Sequence, residues 1–297
     1  MSSPTGPSSG LPVRMPRPRQ PGRHRRPEPV TAPEGAPALV LAVPGSPSAT
    51  SRGLAEEVVS IARSELPGLD ALIGFVESEE EEFPSLTEVL ARTVPPAEET
   101  AEPAGPPPVV VPLLASPDSG YLDIVRTAVR DSGSEARITD VLGPHPLLAE
   151  AVHVRLSEAG LARADRARLF TVATAADGIV LGTVGGQEAV QAAGITGMLL
   201  SARLAVPVLA AALDEKGSVA DIAARLTEAG SQQLALAPCL IGPELPEGLL
   251  AAGAEEAGCP AAEPLGSYPA VGKLVLSAYM AEVGITPQQP PQGAQVR

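Results

Sequence analysis

The chain has 297 residues, which is enough for one large domain or for two domains of about 100 to 150 residues each. Hydrophobic residues make up 44% of it and can form a sizeable core, whereas aromatic residues make up only 2% and tryptophan is absent. The formal net charge is −14. An acidic chain with few aromatic rings is poorly suited to contact phosphates or stack bases, which argues against nucleic acid as a partner.

The two ends differ in composition from the middle. Residues 1–36 are rich in proline and carry six arginines between Arg14 and Arg26, without apolar periodicity. We predict a disordered tail over 1–36 and another over 286–297, and a nucleic-acid- or membrane-binding arm is the alternative for the basic stretch. No apolar run is long enough to cross a membrane or to act as a secretion signal, so we expect a cytoplasmic protein that is not in the membrane.

From Pro37 onward, apolar runs of strand length alternate with segments of helical periodicity. Between 95 and 108, proline, glutamate and alanine predict a linker without core residues. The pattern predicts strands over 37–43, 72–76, 109–114 and 137–141, each followed by a helix, at about 48–66, 85–91, 121–131 and 147–159. Strands that alternate with helices indicate a parallel sheet covered on both faces.

The order of these segments recurs in the second half. Residues 39–43 match 169–173 by pattern, 111–117 match 237–243 with both prolines in register, and 142–146 match 265–269. The offset shrinks smoothly from 130 to 126 and 123, as small deletions in a second copy would produce. The fold class that we predict is therefore α/β, with two similar lobes over 37–162 and 167–285, each a parallel four-stranded sheet flanked by helices.

Ligands of parallel α/β sheets bind beyond the carboxyl ends of the strands. The corresponding loops are 44–50, 77–84, 116–121, 143–146, 174–186 and 242–247. The glycine-rich loop 174–186 has neither GxGxxG nor GxxxxGK[ST] spacing and no nearby lysine, so we interpret it as a flexible crossover. Cys239 and Cys259 have no zinc-site spacing and are expected to be buried thiols.

Two groups of polar residues in these loops are candidates for a site. An acidic run, Glu77 and residues 79–82, follows the second strand and could attract a divalent cation, although a solvated loop is the alternative. Glu77 is nearest to the strand end and is the best candidate of the run. His145 lies between prolines at a strand-to-helix turn, where its imidazole could act as ligand or base, or could simply cap the helix.

Several short segments, taken together, resemble one known family. They are Leu41-Ala42-Val43-Pro44-Gly45-Ser46, Val111-Pro112-Leu113-Leu114, Gly120-Tyr121 and Asp140-Val141-Leu142-Gly143-Pro144-His145-Pro146-Leu147-Leu148, with Ala235-Leu236-Ala237-Pro238 and Leu265-Gly266-Ser267-Tyr268-Pro269 in the second half. Over about residues 37–285 the chain resembles the long, two-lobed (CbiX-type) sirohydrochlorin cobaltochelatases and ferrochelatases. The resemblance implies a lyase that inserts Co²⁺ or Fe²⁺, as its metal substrate and without a cofactor, into a tetrapyrrole of sirohaem or cobalamin synthesis.

The family's two metal-binding histidines are replaced here. One belongs to a His-Gly-Ser turn and the other follows a Gly-Tyr pair, and this sequence has Pro44 and Leu122 at those positions. The resemblance implies a metal-binding role for Glu77. It implies substrate-binding roles for Gly45, Ser46, Ser119, Gly120 and Tyr121. Glu77 and His145 are the remaining candidates for catalysis, and Arg52 and Arg126 are the nearest bases for tetrapyrrole carboxylates.

Two functions follow as hypotheses. The chain is either a chelatase, active or descended from an active one, or a non-catalytic protein on the same fold that binds a tetrapyrrole or a metal or regulates a chelatase. Retention of ligand without turnover would distinguish the second from the first. Nucleotide or DNA binding is a third, more distant alternative, and salt-sensitive binding that disappears with residues 1–36 would support it.

Overall fold

A computed structural model describes residues 31–78, 80–94, 105–162 and 175–285. Strands and helices alternate along these ranges, and all pairs of neighbouring strands are parallel. The strands are β1 (Leu39–Val43), β2 (Ala71–Phe75), β3 (Val109–Pro112), β4 (Arg137–Ile138), β5 (Gly178–Thr183), β6 (Val208–Ala212) and β7 (Leu234–Pro238). The helices are α1 (Ala49–Glu65), α2 (Leu86–Ala91), α3 (Ser119–Asp131), α4 (Pro146–Glu158), α5 (Gly186–Leu204), α6 (Ser218–Glu228), α7 (Leu249–Ala257) and α8 (Pro269–Val283).

The strands form two sheets, one in each lobe. The first sheet has the order β2-β1-β3-β4 and the second the order β6-β5-β7. Ala42 of β1 pairs with Pro112 of β3, and Gly182 of β5 pairs with Pro238 of β7. The predicted α/β class with two parallel sheets flanked by helices is confirmed, and β1 and β5 are the central strands of the two lobes.

Local sequence explains where the first elements begin. All five residues of β1 are buried, as a central strand covered on both faces requires. Ser48 caps α1 through a reciprocal capping box with Ser51, in which each side chain accepts a hydrogen bond from the other residue's backbone N–H. Asp118 caps α3 by accepting a 3.0 Å hydrogen bond from the backbone of Tyr121. These caps fix the loops between each strand and the following helix.

Each half of the chain contributes its last helix to the sheet of the other half. The first sheet is covered by α2 and α3 on one face, and by α1 and α8 on the other. The second sheet is covered by α6 and α7 on one face, and by α5 and α4 on the other. Helix α8 lies so close to α1 that a Cβ on Gly272 would be 2.6 Å from the side chain of Ile61. The two lobes are therefore joined by exchanged helices.

The exchanged helices pack into one core that both sheets share. The largest cluster of buried apolar residues includes Leu39 of β1, Val111 of β3, Leu181 of β5 and Ala237 of β7. Tyr279 of α8 belongs to the same cluster and is 0% exposed, and its hydroxyl donates a 2.7 Å hydrogen bond to the carbonyl of Pro37, just before β1. We therefore expect the two lobes to unfold together.

The second lobe departs from the prediction in two respects. The segment 174–186, interpreted as a flexible loop, contains the buried central strand β5. Its glycines reflect close packing, because a Cβ on Gly178 would lie 2.5 Å from Ser231 Oγ and one on Gly182 would lie 3.0 Å from Leu213. In the described part of the chain the second sheet has three strands instead of four, since the place beside β7 is taken by a single bridge from Leu236 to Ala261.

Several predictions concern residues outside the described ranges. These residues are most of the basic tail 1–36, the tail 286–297, most of the linker 95–108, residue 79 of the acidic run and the predicted strand 169–173. The predicted correspondence between β1 and residues 169–173 is wrong. Strand β5 has the central position in the second sheet that β1 has in the first. The lobe boundaries at 162 and 167 stay predictions.

Two smaller expectations concern membranes and thiols. Within the described ranges, none of the helices has the length and apolar character needed to span a bilayer. Both cysteines are free. Cys239 is buried, and burial raises the pKa of its thiol to about 12. Cys259 is only half-buried, so the expectation of two buried thiols holds for Cys239 alone.

Candidate functional site in the cleft between the lobes

The two lobes meet at a pair of equivalent contacts between loops that follow strands. Gly45 follows β1, and a Cβ at this position would overlap the carbonyl oxygen of Pro243, which follows β7. Gly185 follows β5, and a Cβ there would lie 2.9 Å from the carbonyl oxygen of Pro117, which follows β3. Both glycines have positive φ, 71° and 107°. The internal symmetry relates the two contacts, and each needs a residue without a side chain.

A cavity of about 650 Å³ opens beside the contact between Gly45 and Pro243. Its walls come from the loops after β1, β2, β3 and β7, so residues of both lobes line it. We call it the acidic chamber, and the residues that line it are Pro44, Gly45, Ser46, Ser48, Glu77, Leu114, Asp118, Tyr121, Ile124 and 243–247. It lies at the carboxyl ends of the first sheet's strands, where parallel sheets bind ligands.

Four carboxylates line the acidic chamber: Glu77, Asp118, Glu244 and Glu247. Glu77 is exposed, and Asp118 is held by its capping hydrogen bond. The carboxylate of Glu244 accepts hydrogen bonds from the backbone N–H groups of Ile241 (2.5 Å) and Gly242 (2.8 Å). Burial raises the pKa of Glu244, and those backbone hydrogen bonds partly oppose the shift.

Tyr121 lies in the wall of this chamber. Its hydroxyl donates a 2.9 Å hydrogen bond to the carbonyl of Ala42 in β1. Burial raises the pKa of Tyr121 well above its usual value of 10.0, and the neighbouring charges of Glu244, Glu77 and Asp118 raise it further. The hydroxyl therefore stays protonated near neutral pH and ties α3 to the central strand. It is not available as a base.

A second cavity, of about 500 Å³, adjoins the acidic chamber and shares Ser46, Ser48, Pro243 and Leu245 with it. We call it the arginine chamber, and its other lining residues are Thr50, Ser51, Leu54, Arg155, Ile241, Gly242, Glu263, Pro264 and Gly266. Arg155 is held in place by hydrogen bonds to the carbonyl of Leu265 at 2.8 and 3.3 Å, and by an ion pair with Glu158 at 2.9 Å.

The two chambers differ in electrostatic character. The arginine chamber combines a guanidinium group and several hydroxyl groups with the positive end of the α1 dipole, although Glu263 also lines it. The lining of the acidic chamber includes carboxylates and no basic side chain among the described residues. A ligand with a cationic part and an anionic part would match this division.

The structure brings some of the predicted site residues together. Gly45, Ser46, Glu77 and Tyr121 all line the acidic chamber, as does Pro44, which stands where the family that the sequence resembles has a histidine. Ser119 and Gly120 are exposed in the first turn of α3 and do not line it, and neither does Leu122, at the second histidine position. Among the described residues, no three His, Cys, Asp or Glu side chains are arranged to hold a metal ion.

His145 lies apart from Glu77. It is the residue before α4, and its Nδ1 accepts a 3.1 Å hydrogen bond from the backbone of Leu147. Burial lowers the pKa of His145, which favours the neutral imidazole that this acceptor role needs. His145 lines neither chamber. In the structure His145 caps helix α4, and the assignment of His145 to catalysis stays a prediction.

The predicted basic partners are engaged elsewhere. Arg52 forms an ion pair with Glu82 at 3.0 Å and lies over the ring of Phe83. Arg126 forms an ion pair with Asp123 at 2.6 Å. Neither arginine lines a chamber, whereas Arg155, which the sequence analysis did not single out, does.

Asp118 and Glu244 were also missed, although the sequence contains a signal for them. The offset of 126 that aligns Pro112 with Pro238 also aligns Asp118 with Glu244. Both acids follow the equivalent strands β3 and β7 and line the same chamber. Extending the match of 111–117 with 237–243 by one residue would have indicated them. For Arg155 no such signal exists, because its position depends on the exchange of α4.

Comparison with known proteins gives a likeness of fold. No family model and no curated protein matches the sequence. The structure is similar to that of the sirohydrochlorin chelatase SirB from Bacillus subtilis subspecies spizizenii in complex with cobalt. The TM-score is 0.54 and the identity 15%, over 84% of this chain and 96% of that chain.

Two other solved structures match with lower scores. A periplasmic ribose ABC transporter from Conexibacter woesei has a TM-score of 0.30 and 12% identity, over 70% of this chain and 65% of that one. A LacI family transcription regulator from Clostridium acetobutylicum has a TM-score of 0.26 and 9% identity, over 67% and 68%. These two scores are too low to support any argument. The chain thus has a chelatase-like two-lobed fold, and this likeness concerns the fold alone.

Proposed function

We propose that the cleft between the lobes binds a tetrapyrrole or its metal ion without inserting the metal. The observation that carries this proposal is the division of the cleft into an acidic and an arginine chamber that adjoin at Ser46 and Pro243. Carboxylates attract a divalent cation, whereas a guanidinium, hydroxyl groups and a helix N-terminus attract carboxylates of a tetrapyrrole. The proposal takes its ligand class from the likeness to SirB.

The absence of an imidazole from the described lining supports binding over catalysis. Metal insertion needs a group that delivers the ion and a base that accepts two pyrrole protons near neutral pH. Pro44 can do neither, and the hydroxyl of Tyr121 stays protonated and bonded to Ala42. The carboxylates of the acidic chamber can attract a cation.

A chelatase with rearranged ligands is the second candidate, and the fold likeness to a cobalt-bound chelatase favours it. In that case Glu77 would receive the ion and His145 would accept protons. His145 would have to leave its hydrogen bond with Leu147 and reach the cleft, since it lines neither chamber. The binding function needs no such rearrangement.

Binding can be tested by calorimetric titration of the protein with Co²⁺. Glu77→Gln should weaken Co²⁺ binding by about tenfold or more, because it removes an exposed carboxylate charge from the acidic chamber. Glu81→Gln is the matched control, since Glu81 belongs to the same acidic run but lines neither chamber. Equal effects of the two variants would contradict a Co²⁺ site in the acidic chamber.

A further inference from the structure

Helix α5 carries an apolar surface on its outer side. Among the described residues five large hydrophobic side chains are exposed, and Ile195 (45% exposed), Met198 (65%) and Leu199 (37%) belong to α5. Their spacing of three and four residues places them on one face of the helix. The other two, Val94 and Ile124, belong to different parts of the first lobe. The exposed apolar side chains are thus concentrated on one helix.

The opposite side of α5 is buried in the second lobe. Ala189, Ala193, Thr196, Gly197 and Leu200 are buried there, and the helix packs on β5, β6 and α4. The outer face is therefore not needed for the core of the second lobe. We call this outer face, made of Ile195, Met198 and Leu199, the α5 face.

The charges of α5 are complementary to those of an antiparallel copy. Its two charged residues are Glu188 in the first turn and Arg203 in the last, and both are exposed. Fifteen residues separate them, which is about 22 Å along the helix axis. Two copies of α5 that cross antiparallel about their middle would bring each Glu188 near Arg203 of the other copy. A twofold pair thus places apolar side chains at its centre and opposite charges at both ends.

We propose that the α5 face is a dimer interface between two copies of this chain. A chain of net charge −14 repels its own copies, so self-association requires a surface where that charge is locally absent. The α5 face is such a surface, because Ile195, Met198 and Leu199 are uncharged, and the two charged residues of α5, Glu188 and Arg203, lie near opposite ends of the helix with opposite signs. The inference does not depend on the proposed function, since none of these residues lines either chamber.

Sedimentation analysis of the full chain over a wide concentration range tests the proposal. The chain should pass from a monomer to a dimer, and Ile195→Glu should raise the dimer dissociation constant by about thirtyfold or more. Val94→Glu is a matched control, because Val94 is 39% exposed, follows α2 in the first lobe and lines neither chamber, and it should leave the dimer intact. A monomer at all concentrations, or equal effects of the two substitutions, would overturn the proposal.

A charge reversal tests the antiparallel arrangement. Glu188→Arg should weaken the dimer by placing like charges at both ends, and the double variant Glu188→Arg, Arg203→Glu should restore it. Arg203 also donates a 2.8 Å hydrogen bond to His153, so thermal unfolding of each variant must accompany the measurement. If the correctly folded double variant dimerises no better than Glu188→Arg alone, the proposed interface is wrong.

Discussion

Replacing Gly45 with alanine should destabilise the fold by about 3 kcal/mol. The new Cβ would overlap the carbonyl oxygen of Pro243, and backbone atoms cannot rotate away as a flexible side chain can. Crowding of this kind costs about 1 to 3 kcal/mol, and a Cβ at positive φ adds about 1 kcal/mol. Chemical denaturation would measure the loss. Gly185→Ala should act in the same direction but less strongly, because its Cβ would lie 2.9 Å from the carbonyl of Pro117.

Gly186→Ala is the control for these two substitutions. Gly186 follows Gly185 directly and also has a positive φ, of 77°, but a Cβ there would meet no atom within 4 Å. Only the backbone strain of about 1 kcal/mol is expected. If Gly45→Ala costs no more than Gly186→Ala, the stability of the fold does not depend on the close contact between Gly45 and Pro243, which would contradict this account of how the lobes meet.

Replacing Tyr279 with alanine should cost about 3 to 5 kcal/mol, which is the usual range for removing a large buried aromatic side chain. Tyr279 lies in the last helix of the chain, yet it fills the core against the first sheet and bonds to Pro37. Because that core is shared, we expect a single unfolding transition with a lower midpoint, observed both by circular dichroism and by calorimetry.

Tyr279→Phe separates the hydrogen bond from the packing. It keeps the ring and removes only the hydroxyl that donates to Pro37, so the expected cost is about 1 kcal/mol. Two separate unfolding transitions, in the wild type or in either variant, would contradict the shared core. A cost of Tyr279→Ala as small as that of Tyr279→Phe would show that α8 does not stabilise the first lobe.

Local patterns were sufficient to predict most elements of the first lobe. The run of buried residues in β1 is bounded by a proline turn, and α1 has its serine caps and its periodic apolar residues. Strand β5 was missed because Gly178 and Gly182 suggested flexibility, whereas tertiary contacts with Ser231 and Leu213 require small residues there. The exchange of α4 and α8 leaves no local signal, since it depends on which sheet a helix packs against.

The candidate site was predictable to the extent that it follows from strand ends. Gly45, Ser46, Glu77 and Tyr121 all lie near the ends of neighbouring parallel strands, and the structure brings them into one chamber. His145 follows the short edge strand β4 and serves as a helix cap instead. The place of Arg155 in the site could not be predicted from the sequence, because it depends on a hydrogen bond to Leu265 in the other half of the chain.

The central claim, that the cleft binds its ligand but does not insert the metal, can be tested by one absorbance measurement. Sirohydrochlorin and Co²⁺ or Fe²⁺ are mixed without oxygen with the native protein, and in parallel with the Pro44→His, Leu122→His double variant. We predict a spectral shift of bound sirohydrochlorin and metal insertion no faster than the uncatalysed rate for the native chain. Turnover by the native chain above that rate would contradict the claim and would establish a chelatase with rearranged ligands.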